Sequence, residues 1–99
     1  MKSPLDSFEK IFESRIRLGI MSALSVNDSL DFISLKEYLN VTDGNLATHL
    51  KMLQKVCFIN DKKSFINNKP NTKYFLTEKG KKAFNNHLIT LEKFLNSLK

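Results

Sequence analysis

The segment V-T-D-G-N-L-A-T-H-L-K-M-L-Q-K-V, residues 41–56, decides how the rest of the chain is interpreted. Thr42 carries a hydroxyl that can accept a hydrogen bond from a backbone N–H at the start of a helix. Asn45, three residues later, can reach back to complete a capping box. The segment therefore predicts a helix that begins at Thr42 or Asp43.

This predicted helix has two unlike faces. Apolar residues recur at a period of about 3.6 residues, which predicts a buried stripe. The opposite side has small, hydrogen-bonding or cationic groups, with one acid, Asp43, at its tip. Such a face can lie close to a polyanion, so we interpret the segment as a DNA-recognition helix. The buried stripe comprises Leu46, Leu50, Leu53 and Cys57; the open face comprises Gly44, Thr48, Lys51 and Lys55, flanked by Asn45 and Ala47.

A second short helix is predicted immediately before it. Ser34 can cap this helix, and Glu37 stands at the position that completes a capping box. Two short helices with a link of two residues form a helix-turn-helix, which we place at residues 34–56. The first of them, residues 34–40, is expected to bury Leu35 and Leu39, with Tyr38 beside them.

The region before residue 34 supplies the support for this motif. An apolar periodicity predicts a helix at the centre of the core over residues 14–25. Arg15 and Arg17 lie off its main stripe and are expected to be solvated charges, although either could contact a phosphate. Residues 30–33 are β-branched or aromatic and predict one short strand.

After Val56 the period changes from about 3.6 toward 2, which predicts strands. The sequence N-N-K-P-N, residues 67–71, is typical of a turn because Asn tolerates a left-handed backbone and Pro fixes φ. Residues 58–76 therefore predict a two-stranded hairpin, a basic ribbon directly after the helix-turn-helix. Its lysines are Lys62, Lys63, Lys69 and Lys73.

Both ends of the chain have more apolar surface than one small domain readily covers. Thr77 and Glu78 open a last helix, residues 77–98, whose apolar residues alternate steps of four and three as in a coiled coil. Pro4 suits the first turn of an N-terminal helix, whose two phenylalanines need a cover that either the last helix of the same chain or a second chain supplies. We expect a homodimer through these two segments, using Leu5, Phe8, Phe12, Phe84, Leu88, Leu91, Leu95 and Leu98.

Composition excludes several classes of protein. At 99 residues the chain is one domain, residues 1–99, too small for a core plus a separate sensor domain, so we expect no small-molecule effector. No apolar run approaches the length of a membrane helix, and the N-terminus is not a secretory signal, so a cytoplasmic protein is expected. One cysteine excludes an internal disulfide and a zinc site of paired thiolates. We find no catalytic, cofactor or metal motif and expect no enzyme.

The positive charge is concentrated in the second half of the chain. Residues 1–41 have a net charge of −1, residues 42–73 of +4 and residues 74–99 of +3, which together give the +6 of the whole chain. A polyanionic partner favours this distribution, because lysines that neutralise phosphates release counterions. A solvated, lysine-rich surface would look the same, so charge alone leaves both interpretations open.

Three stretches resemble stand-alone winged helix-turn-helix transcriptional regulators of the MarR/ArsR-like group. They are S-R-I-R-L-G-I-M-S-A-L, D-F-I-S-L-K-E-Y-L-N-V-T-D-G-N-L-A-T-H-L-K-M-L and K-P-N-T-K-Y-F-L-T-E-K-G-K-K-A-F, and the likeness spans residues 14 to about 95. The resemblance implies an α+β, mostly helical fold, with dimerisation helices at both ends and a two-stranded wing. It also implies that the second helix of the motif enters the major groove of double-stranded DNA.

Carried over by position, the resemblance implies that bases are read by Asp43, Asn45, Ala47 and Thr48. It implies contacts to phosphates, or from the wing, by Thr42, Lys51, Lys55, Lys62, Lys63, Asn68, Lys69 and Lys73. The chain departs from the group at two places. Cys57 stands where a glycine usually ends the recognition helix, and Asn67-Asn68 stands where the wing tip usually has Gly-Arg. Without that arginine, Lys69 remains as a weaker substitute at the wing tip.

Three functions remain open on the sequence alone. The favoured one is a dimeric, sequence-specific DNA-binding regulator. The alternative is a winged helix that serves as a protein-protein interaction module, and a third, an RNA binder, lacks exposed aromatic residues on a sheet. We expect His49 and His87 to be structural and Cys57 to be a packed, inert thiol.

Overall fold

The computed structural model describes residues 8–99. The elements, in chain order, are a short 3-10 helix (Lys10–Phe12), α1 (Arg15–Ser25), β1 (Leu30–Asp31), α2 (Phe32–Leu39), α3 (Asp43–Lys55), β2 (Ile59–Ile66), β3 (Lys69–Leu76) and α4 (Glu78–Ser97). The α+β, mostly helical class expected from the sequence is confirmed. The start of the predicted N-terminal helix, including Pro4 and Leu5, lies outside the described residues, and the described part of this segment contains only the 3-10 helix.

Helix α1 lies at the centre of the core, as predicted. Ser14 caps it, because its Oγ accepts a hydrogen bond from the backbone N–H of Arg17 at 3.2 Å. Ile20 and Met21 of this helix are completely buried, as are Leu35 of α2 and Leu46 of α3. The helix-turn-helix is therefore attached to α1 by an apolar contact that excludes water, which is the main favourable term in folding.

Helix α2 begins two residues earlier than the sequence indicated. Its cap is Asp31, not Ser34: the Asp31 carboxylate accepts a hydrogen bond from the backbone N–H of Ser34 at 2.8 Å. The same bond lowers the pKa of Asp31. Ile33, predicted to lie in the strand, is consequently helical, and β1 is only two residues long. Leu35 is buried and Leu39 half-buried, and Tyr38 is exposed rather than packed beside them.

The sheet has three antiparallel strands in the order β1-β3-β2. The long hairpin pairs Ile59 with Leu76 at its base and Ile66 with Lys69 at its tip. The predicted turn is formed by Asn67 and Asn68, whose φ values are 51° and 63°. Two successive left-handed residues are what a two-residue turn needs to match the twist of the strands. Asparagine accepts this conformation at a low cost.

Helix α3 ends at an unusual residue. The N–H of Phe58 donates to the carbonyl of Leu53, and the N–H of Cys57 donates to that of Gln54, each at 3.0 Å. This is the Schellman motif, whose turning residue has a left-handed backbone, and here Cys57 has φ 64°. Its side chain is exposed. The expectation that Cys57 continues the buried stripe is therefore wrong.

The start of helix α4 packs tightly on the end of α3. Thr77 accepts a hydrogen bond from the N–H of Gly80 at 3.0 Å, and its hydroxyl donates to the carbonyl of Cys57 at 2.6 Å. A Cβ at Gly80 would lie only 1.9 Å from the carbonyl oxygen of Phe58. Glycine is required here by this close approach of two backbones. Within residues 8–99, no helix is both long and apolar enough to cross a membrane.

Candidate nucleic-acid interface

The N-terminus of α3 is formed and exposed as predicted. The Thr42 hydroxyl accepts a hydrogen bond from the backbone N–H of Asn45 at 3.2 Å, and the helix starts at Asp43. A Cβ placed on Gly44 would meet no atom within 4 Å. The first turn therefore stands clear of the rest of the chain. Another molecule could approach its backbone closely.

The two faces of α3 are separated as the sequence indicated. Leu46, Leu50 and Leu53 are buried against the core. The side chains assigned to base reading lie on the other side, where Asp43, Asn45 and Thr48 are exposed and Ala47 is half-buried. The phosphate-contacting candidates on the same helix and its cap are also exposed: Thr42, Lys51 and Lys55.

Asp43, the single acid at the tip of α3, has a cationic partner on α2. The ammonium group of Lys36 lies 2.8 Å from the Asp43 carboxylate, and the two side chains are 44% and 72% exposed. An exposed pair of this kind contributes little to stability. It does reduce the repulsion that a free carboxylate would exert on phosphates. Sequence reasoning missed Lys36, although its place in the last turn of the preceding helix brings it near the start of α3.

Arg17 is not the solvated charge that its position off the main stripe of α1 indicated. Its side chain is half-buried, and its Nε donates to the carbonyl of Ile11 at 2.7 Å. Its Nη1 lies 3.1 Å from Nδ1 of His49 and 3.3 Å from the sulfur of Met52, both on α3. Burial first, and then the charge of Arg17, lower the pKa of His49. His49 is structural, as expected, but its partner is this side chain and not neighbouring backbone.

The hairpin forms an exposed basic ribbon. Lys62 lies directly opposite Lys73 across the strands, and Lys63 and Lys69 lie nearer the tip. All four lysines are exposed, as is Asn68 in the turn. The segment from Lys62 to Lys73 contains no Asp or Glu. Like charges placed opposite each other on two strands repel. A bound anion between them would remove that repulsion.

The residues predicted for the dimer interface fall into two groups. Phe12 and Phe84 are buried within the chain itself, with their ring centroids 6.3 Å apart, and Phe12 stacks on Phe58. Assigning these two to a surface between chains was wrong. Phe8 is half-buried against His87 and Phe94 of α4. The remaining described residues of the set, Leu88, Leu91, Leu95 and Leu98, are exposed along α4.

Residues 16–95 match the family model described as a winged helix DNA-binding domain. The chain belongs to this family. The match includes the helix-turn-helix, the wing formed by β2 and β3, and most of α4. The resemblance noted in the sequence is therefore confirmed. The protein is a winged helix protein of the DNA-binding type.

Individual proteins are also similar to this chain. An uncharacterized protein from Methanocaldococcus jannaschii is 43% identical over 82 residues, which cover 83% of this chain and 89% of that protein. The structure of a transcriptional regulator homologue from Pyrococcus horikoshii superposes with a TM-score of 0.87 at 26% identity and covers 97% of both chains. Bacillus subtilis PadR, solved in complex with operator DNA, has a TM-score of 0.69 at 20% identity and covers 77% of this chain and 49% of that one. The PadR similarity shows the shared fold.

Proposed function

We propose that this winged helix is a sequence-specific regulator that binds double-stranded DNA as a homodimer, with α3 in the major groove. The observation that carries the proposal is the open face of α3. Its polar side chains stand exposed opposite three buried leucines, and its one acid is paired with Lys36. A major groove about 12 Å wide admits a helix with such a face.

The side chains on this face suit direct reading of base edges. The Asn45 amide can bond to adenine, Asp43 can accept from cytosine, and the Thr48 hydroxyl can serve either. Ala47 is small enough to contact a thymine methyl group. The exposed lysines of α3 and the wing, with Thr42 and Asn68, would bind phosphates and set the register of the helix in the groove.

The homodimer part of the proposal is supported by the exposed leucines of α4. Leu88, Leu91 and Leu95 follow a coiled-coil spacing and are exposed on the chain. A two-fold dimer would bind two half-sites about one helical turn, or a multiple of it, apart. Sedimentation at micromolar concentration tests this part, and a monomer there would contradict it.

Binding to random duplex DNA tests the main proposal. We expect affinity to fall steeply with salt, with a slope that corresponds to several phosphates. Salt-independent or absent binding would instead favour the protein-interaction module. Selection of bound duplexes from a random pool would then identify the operator.

Single substitutions separate the two kinds of contact. Lys51→Ala and Lys69→Ala should weaken binding about equally for all sequences and each reduce the salt slope by about 1. Asn45→Ala and Thr48→Ala should instead relax the preference at particular base pairs. Lys93 is an exposed lysine on α4, and Lys93→Ala is the matched control. It should change neither the affinity nor the base preference. An unchanged sequence preference in Thr48→Ala would contradict the assigned reading face.

A further inference from the structure

The tip of the wing has an exposed aromatic side chain inside its most basic segment. Phe65 is 76% exposed, the largest exposed fraction among the large hydrophobic residues of the described chain. Four lysines and no acid lie between positions 62 and 73. A solvated ribbon would not need a phenylalanine at this place. A partner that offers both negative charge and an apolar surface would use it.

Strand alternation places Phe65 on a defined face of the hairpin. It pairs with Pro70 across the strands, whereas the next residue, Ile66, pairs with Lys69 and points to the other face. Lys63, two residues before Phe65, shares its face, whereas Lys62, Lys69 and Lys73 lie with Ile66 on the other face. The Phe65 face therefore presents two apolar side chains with an ammonium group behind them.

The reach of the wing matches the spacing of DNA grooves. Its exposed part on β2 runs from Lys62 to Ile66, and five strand residues extend about 16 Å. The wing follows directly from the C-terminal end of α3, across the turn at Cys57. With α3 in the major groove, the next minor groove is half a helical turn away, about 17 Å. The hairpin is therefore long enough to span that distance.

We propose that Phe65 is a wedge that enters the minor groove beside the half-site and partly unstacks one base step. This rests on the DNA binding proposed above. Apolar side chains of this kind insert between base pairs in the minor groove, and pyrimidine–purine steps such as TA and CA yield most easily. Asn67, at the exposed turn, supplies an amide that bonds to the acceptors on the minor-groove edges. The wing thereby adds a sequence preference outside the site read by α3.

Fluorescence of 2-aminopurine tests this step directly. We would place the analogue, one position at a time, in the flanks of a duplex recovered from the random pool. Stacking quenches the analogue, so the bound protein should raise its emission at one flanking step and at no other. Binding to a duplex with a G·C-rich flank should be weaker by about tenfold, the scale of one lost stacking contact.

Two matched variants locate the effect. Phe65→Thr removes the wedge, keeps a residue with high strand propensity, and should abolish the emission rise and weaken binding about tenfold. Ile66→Thr also replaces an apolar tip residue by threonine, but on the opposite face, and should retain the rise in emission. Phe65→Leu, which keeps an apolar wedge, should retain it as well. Thermal unfolding of each variant shows that the hairpin and core remain folded.

Several outcomes would overturn the inference. Tight, salt-dependent binding with no rise in emission would leave the proposed function standing and remove the wedge. An equal loss of affinity and of the emission rise in Phe65→Thr and Ile66→Thr would show that the whole tip contributes, and not Phe65 in particular. Binding to phosphatidylserine vesicles at physiological salt that depends on Phe65 would assign the side chain to a membrane surface. Absence of binding to any duplex would fail the proposed function itself.

Discussion

Helices α3 and α4 each carry a row of leucines with the same kind of spacing, yet only one row is covered by the chain. Leu46, Leu50 and Leu53 of α3 are 0%, 2% and 0% exposed. Leu88, Leu91 and Leu95 of α4 are 45%, 39% and 51% exposed. The spacing of apolar residues therefore predicts that a face seeks burial. What covers it depends on the tertiary structure.

The difference also separates two kinds of free energy. Burial of the α3 leucines contributes to the folding of one chain at any concentration. Burial of the α4 leucines would contribute only when a second copy is present, so it would depend on concentration. Substitutions in the two rows should consequently have different signatures.

The largest effect is expected in the α3 row. Leu50→Ala should lower the free energy of unfolding by about 2–5 kcal/mol, because it removes a buried side chain and leaves a cavity. Chemical denaturation at several protein concentrations measures this loss, which should not depend on concentration. Leu95→Ala is the matched control and should leave the stability of the monomer nearly unchanged. An equal loss of unfolding free energy in both variants would show that the chain itself covers both rows of leucines.

A charge in the α4 row should act on association. Leu91→Lys places an unpaired charge in the proposed interface and should weaken it by about 2 kcal/mol, roughly thirtyfold in the dissociation constant. Sedimentation equilibrium measures the change, and thermal unfolding checks that the monomer is intact. Glu92→Lys, on the neighbouring and exposed position, should leave the association unchanged. A dimer unaffected by Leu91→Lys would move the interface away from this face.

A smaller effect is expected at Cys57, which has the spacing of the α3 row but lies outside the core. Its left-handed backbone is strained for any residue with a Cβ. Cys57→Gly should therefore raise the free energy of unfolding by about 0.5–1 kcal/mol, the strain relieved less the entropy that glycine adds to the unfolded chain. Cys57→Ala keeps the strain and should show no such gain. A loss of stability in Cys57→Gly would indicate that the thiol contributes packing after all.

The smallest effect concerns the histidine beside each row. Burial lowers the pKa of His49 and of His87 below 6.5, so the folded chain favours their neutral forms. As the pH falls through the ordinary value, the unfolded chain takes up protons first, and stability decreases until the pKa of the folded state is passed. Urea unfolding at pH values from 8 to 5 should show this decrease. The double variant H49Q/H87Q should reduce the dependence of the free energy of unfolding on pH. An unchanged dependence would show that these two histidines do not cause it.

The elements set by local chemistry were predictable from the sequence. Thr42 and Thr77 cap their helices where the hydroxyl and the following apolar period indicate, and the Asn67-Asn68 turn follows from the tolerance of asparagine for a left-handed backbone. The start of α2 was not predictable in this way. Both Asp31 and Ser34 can cap a helix, and the pairing of β1 with β3 places Asp31 at the cap.

The candidate site was predictable on α3 and less so around it. The open and buried faces of α3 follow from one periodicity in one helix. The pairing of Lys36 with Asp43 and the contacts of Arg17 join residues from different elements, and no single period contains that information. Phe12 and Phe84 show the same limit, because their apolar character did not indicate whether the chain or a second copy would bury them.

The contacts of the Arg17 guanidinium group bear on the half-site spacing that a dimer would prefer. It joins the carbonyl of Ile11 to His49 on α3, and the adjacent Phe12 ring packs against His87 of α4. Arg17 and Phe12 thus connect α3 with the middle of α4, in addition to the direct contact of the two helices at Thr77 and Gly80. In a two-fold assembly, a rotation of α4 of one copy relative to α4 of the other would change the distance between the two copies of α3. The preferred number of base pairs between half-sites would then depend on the angle between the two copies of α4.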